Sequence, residues 1–93
     1  MIKIKLDDEN LSLTITGHAD YAEYGKDIVC AGVSSLVQTL ALYAEKHGGR
    51  ANMSGGNAEI DCPHTKEARE VFKCISDGLR GIAMSYGEFV LFT

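Results

Sequence analysis

Two short segments at the start of the chain alternate apolar and polar side chains. In MIKIKL, Ile2, Ile4 and Leu6 are separated by lysines, and in LSLTIT, Leu11, Leu13 and Ile15 alternate with Ser12, Thr14 and Thr16. Side chains of a strand point to opposite faces in turn, so each segment reads as a strand with one apolar and one wet face. Asp7-Asp8-Glu9-Asn10 between them is a turn, which predicts a hairpin that Gly17 closes. A lone hairpin is at best marginal in water, so the rest of the chain must cover its apolar face.

Two helical segments can supply that cover. Asp27 is a candidate N-cap for a long helix, with Val29, Val33, Leu36, Leu40 and Tyr43 on one apolar face. The helix is expected to end at His47-Gly48-Gly49, where glycine can take a left-handed cap. Arg50 to Met53 and Asn57 to Cys62 are short strands around a Ser54-Gly55-Gly56 turn. Pro63-His64-Thr65 then opens a second helix with Ala68, Phe72, Ile75, Leu79 and Ile82 on its apolar face, interrupted by Gly78 and Gly81. Glu88 to Phe92 reads as a closing strand. The order β-β-α-β-β-α-β predicts an α+β fold: an antiparallel or mixed sheet of about five strands with two packed helices.

Residues 1–93 are expected to form a single domain, because a chain of 93 residues buries roughly 60–65% of its unfolded surface. At 45% hydrophobic and 24% charged the composition is that of a globular protein. Thirteen acidic against nine basic side chains give a net charge of −4, which repels phosphate backbones and argues against direct nucleic-acid binding. No apolar run is expected to approach the roughly 18 residues of a membrane span, and MIKIKLDDEN lacks the apolar block of a signal peptide. The expectation is a cytoplasmic protein with no membrane partner. Three cysteines, an odd number, fit free thiols in a reducing compartment.

The stretch GHADYAEYGKDIVCAGVSSL, residues 17–36, concentrates the reactive side chains. With Asp27 as N-cap, Cys30 falls in the first helical turn, near unpaired backbone N–H groups and the positive end of the helix dipole, both of which favour a thiolate. The alternative is a small core residue, since free cysteine is often buried. His18 directly follows a strand, and the loop between it and Cys30 is long enough to fold back, so it can serve as the base of a Cys–His pair or be an ordinary surface residue. Asp27 can act as a cap alone. Tyr21 and Tyr24 can stack on a ligand or cover a core edge. Cys62-Pro63-His64 has no second pair at zinc spacing, Gly48-Gly49 and Gly55-Gly56 lack a phosphate-loop lysine, and neither metal nor cofactor is expected.

These residues resemble the ribosomal-processing cysteine proteases called Prp. The likeness rests on Gly17, His18 and Ala19 after the second strand, Gly25 in the loop, and Asp27, Ile28, Val29, Cys30 and Ala31 at a helix start with Ser34 following. In length and element order it extends over nearly the whole chain. The resemblance implies a homodimeric endopeptidase with His18 and Cys30 as its catalytic pair. It also implies a substrate: the N-terminal extension of a large-subunit ribosomal protein, the one numbered twenty-seven, cut after an aromatic pair. Gly17, Tyr21, Tyr24, Gly25, Asp27 and Ser34 would then support the pair or the peptide, with the loop from Asp20 to Lys26 closing over it. Asp27 would orient His18 or shape the helix start, and backbone N–H groups near Cys30 would hold the oxyanion. An acidic enzyme would also be steered toward strongly basic ribosomal proteins. Two other classes remain open on the residues alone: a non-catalytic peptide-binding or ribosome-assembly module, and a thiol redox sensor built on Cys30.

Overall fold

The computed structural model describes residues 1–18, 22 and 27–93. Its elements follow the expected order: β1 (Ile2–Asp7), β2 (Ser12–Thr16), α1 (Ile28–Lys46), β3 (Arg50–Ser54), β4 (Asn57–Asp61), α2 (Lys66–Ser85) and β5 (Val90–Phe92). The strands form one sheet in the order β3-β4-β2-β1-β5. It is mixed, because β5 runs parallel to β1 while the other pairs are antiparallel. The alternation that predicted the hairpin also sets its register. Ile4 faces Ile15 and Leu6 faces Leu13, and β4 continues the apolar face with Ile60 opposite Leu13 and Ala58 opposite Ile15.

Both helices supply the cover. Val29, Val33, Val37, Leu40, Ala41 and Ala44 form the buried stripe of α1, and Ala68, Phe72, Ile75 and Leu79 that of α2. Leu36 and Tyr43, expected on the core face of α1, are only partly buried. Leu36 turns toward α2, where a Cβ on Gly78 would sit 3.0 Å from its Cδ1, and the Tyr43 ring stacks on His47 at 4.2 Å. The glycines that interrupt the second apolar pattern therefore do not break the helix, and Gly78 lets α1 approach closely. Ile82 is likewise partly buried and Ser76 is buried, its hydroxyl donating to the Phe72 carbonyl at 2.7 Å.

The ends of the elements follow local chemistry. The Gly49 N–H reaches the Ala44 carbonyl at 2.7 Å across a left-handed Gly48 (φ 90°), which closes α1. Gly55 alone of the β3–β4 loop pair has positive φ (57°), the pattern of a type II′ hairpin. Leu11 departs from expectation: it lies in the turn ahead of β2 with φ 51°, yet its side chain is buried. Asp7 organises that turn by accepting from the Asn10 side chain and the Glu9 and Asn10 backbone, bonds that hold its carboxyl below the usual range. The closing strand is shorter than expected, starting at Val90 instead of Glu88.

One further expectation needs correction. By length and composition α1 is long and apolar enough to cross a membrane. Its mid-helix Ser34, Ser35, Gln38 and Thr39 are polar without being charged, so they interrupt the apolar run in the sequence while leaving the helix apolar on average. In the fold its apolar stripe packs on the sheet.

Candidate active site

Three pieces of backbone meet at one end of the sheet: the exit from β2, the start of α1 and the β3–β4 hairpin. Between them lies an open cleft of about 840 Å³, within the size range of ligand sites. Its walls include His18, Asp27, Cys30 and Ser34, with Met53, Gly56 and Asn57 on the hairpin side and apolar Ile15, Val33 and Val37 beneath.

The exit from β2 depends on Gly17. Its backbone is left-handed (φ 90°), and a Cβ there would collide with the Met1 carbonyl oxygen, so both the turn and the close approach require glycine. The turn delivers His18, which is exposed, into the cleft. Cys30 enters from the other side as the third residue of α1, half-buried against the core. Ser34 lies one turn further along α1 and lines the same cleft. The fold thus brings His18, Asp27, Cys30 and Ser34 together, with Gly17 setting the approach. Tyr21, Tyr24 and Gly25 lie outside the described residues, as does the loop over residues 20–26 with its expected closure, apart from Ala22, which lines the cleft.

Asp27 is the N-cap of α1: its Oδ1 accepts from the Cys30 N–H at 2.9 Å. The Ala31 N–H is also taken, by the Asp27 carbonyl at 3.0 Å. The carboxylate therefore occupies the positive end of the helix that would otherwise support a thiolate.

The three cysteines are free and differ in setting: Cys30 is half-buried at the cleft, Cys62 buried and Cys74 exposed. Burial pushes the Cys62 thiol up, and the neighbouring Asp61 charge adds to the shift. Iodoacetamide at neutral pH is expected to alkylate Cys62 last, after the exposed Cys74 and the cleft-lining Cys30, read by peptide mapping. The cap makes a second expectation. Asp27→Ala should cost about 1 kcal/mol, a fall of about 4–8 °C in Tm. Asp27→Asn should keep most of the cap while alkylating at Cys30 at least as fast as wild type. Equal loss of Tm in both variants would show that the charge, not the cap oxygen, stabilises the helix start.

The hairpin wall was missed by sequence reasoning. Ser54-Gly55-Gly56 reads as a turn and nothing more, and only the pairing of β4 with β2 carries it to the His18 side of the sheet. His64, considered as a metal ligand, instead has its Nε2 3.0 Å from the Asn10 carbonyl.

Known proteins share this arrangement of chain. A ribosomal processing cysteine protease Prp of Staphylococcus aureus is 30% identical over 96 residues, covering 94% of this chain and 91% of that one. The Bacillus subtilis Prp is 59% identical over a stretch of 27 residues, which spans 24% of that protein. Among solved structures, the S. aureus Prp with a covalently linked product peptide superposes with a TM-score of 0.80 at 27% identity, covering 99% of this chain and 95% of that chain. The same protease with a substrate peptide gives 0.74, covering 100% and 98%. The model of the family described as cysteine protease Prp matches residues 1–91, nearly the full length in which the cleft is built, and the chain belongs to that family.

Proposed function

We propose that this chain is an endopeptidase acting through a Cys30–His18 dyad on the N-terminal extension of the large-subunit ribosomal protein numbered twenty-seven. The observation that carries the reading is the placement of His18 and Cys30, from different elements, on one open cleft with an apolar floor. Cys30 Sγ attacks the scissile carbonyl while His18 takes the thiol proton. Collapse of the tetrahedral intermediate breaks the C–N bond, His18 returns the proton to the leaving amine, and a thioester remains on Cys30. Water, deprotonated by His18, then hydrolyses the thioester and regenerates the thiol.

The helix start constrains how the oxyanion is held. The N–H groups of Cys30 and Ala31 are engaged by Asp27, so the backbone donors left in the first turn of α1 are the N–H groups of Ile28 and Val29, which have no acceptor four residues back within the helix. The Ser34 hydroxyl lines the same cleft as a side-chain donor. Asp27 acts in this scheme as the cap that orients Cys30. The family resemblance supports a homodimer working in the cytoplasm, and the net charge of −4 favours encounter with a basic ribosomal protein.

The test is a synthetic peptide spanning the extension, incubated with the protein in reducing buffer. Wild type is expected to cut it once, and Cys30→Ser to bind it intact. Binding by the wild type with no cleavage would leave a peptide-binding module in place of the protease.

A further inference from the structure

Two adjacent glycines form the tip of the β3–β4 hairpin, and they are glycine for different reasons. Gly55 has φ 57° and open space where a side chain would go, so its backbone alone demands glycine. Gly56 has no positive φ, and its backbone would accept alanine. What excludes a side chain there is His18: a Cβ on Gly56 would lie 2.7 Å from the imidazole Nε2, 3.0 Å from Cε1 and 3.3 Å from the Gly17 carbonyl oxygen.

We propose that Gly56 is a positioning residue for His18, the side chain it lacks leaving the space in which the imidazole rests. The inference deepens the dyad reading and rests on it for the link to turnover. A methyl group at position 56 forces one partner to move. The hairpin is held in the sheet by the ladder between β4 and β2, and Gly17 is wedged against the Met1 carbonyl. The ring is exposed and turns about two single bonds, so it is the ring that gives way. Displacing a general base by about 1 Å can cost on the order of 10²-fold in rate.

Gly56→Ala is therefore expected to lower kcat by about 10²-fold with KM nearly unchanged. By NMR, the His18 ring resonances should shift while those of His47 and His64 stay in place. A rise in KM with kcat retained would mean that position 56 meets the peptide instead of the ring, and would overturn the proposal. So would unshifted His18 resonances, or shifted ones with kcat intact. Stability supplies a check that needs no activity. If the methyl clashes with the ring, Gly56→Ala should lower Tm in the presence of His18 by more than it does in a His18→Ala background. Equal losses in both backgrounds would place the clash elsewhere. Wild-type turnover by His18→Ala would remove the dyad, and the NMR shift and the Tm comparison would still decide whether Gly56 seats the ring.

Discussion

His18→Ala is expected to lower kcat/KM on a peptide substrate by about 10²–10⁴-fold, the usual contribution of a general base, while its thermal melt stays near that of the wild type. The expectation of an intact fold comes from burial. His18 is exposed beyond the end of β2, and the buried cluster from Ile2 to Val90 that joins the sheet to both helices does not include it. Removing the imidazole takes away no core contact and opens no cavity. The loss of rate follows from the proposed scheme, in which His18 takes the thiol proton and returns it to the leaving amine. A variant that melts well below wild type would make His18 a structural residue. One that melts normally and cuts normally would leave the dyad without its base.

The second large effect is expected on the substrate. Replacing with alanine both residues of the aromatic pair that the proposed substrate would carry before the cut should lower kcat/KM by about 10²–10⁴-fold. Each large apolar side chain fully buried contributes about 1.5–3 kcal/mol, and about 1.4 kcal/mol corresponds to a tenfold change. The cleft suits such rings. Its floor is built from Ile15, Val33, Val37 and Ala58, and Met53 stands at its rim, 45% exposed, with a flexible thioether that can adapt to an aromatic surface. Competition kinetics between the two peptides would read the ratio directly. Equal rates would mean that this cleft does not select aromatic side chains.

Element order was legible because the periodicity is strong. The alternation of Ile2, Ile4 and Leu6 and of Leu13 and Ile15 forces two strands, and the helical spacing of Val29, Val33 and Leu40 and of Ala68, Phe72 and Leu79 forces two helices. Asp27 could be read as a cap from its place before an apolar run, and the structure has it capping. The lateral order of the strands was not legible, because it depends on which edges pair after the helices fold back. That order decides which loops meet His18, so Met53 and Gly56 stayed hidden. Leu11 was misread for a related reason: its alternation with Leu13 marks it as buried, which it is, but burial is achieved from a left-handed turn residue and not from a strand. Gly56 carried no signal of its own, because glycine beside glycine in a hairpin already has a sufficient explanation in Gly55.

A thioester on Cys30 is the one species that neither a peptide-binding module nor a redox sensor produces. Acid quenching of the protein during turnover of the extension peptide, followed by intact-mass spectrometry and peptide mapping, would detect it. The expected result is a protein mass raised by the N-terminal fragment of the peptide less one water, mapped to Cys30, with the C-terminal fragment released in an amount equal to the adduct plus the free N-terminal fragment, and no adduct in Cys30→Ser. A peptide that stays whole while Cys30 is a free thiol, or cleavage that persists in Cys30→Ser, would contradict the dyad.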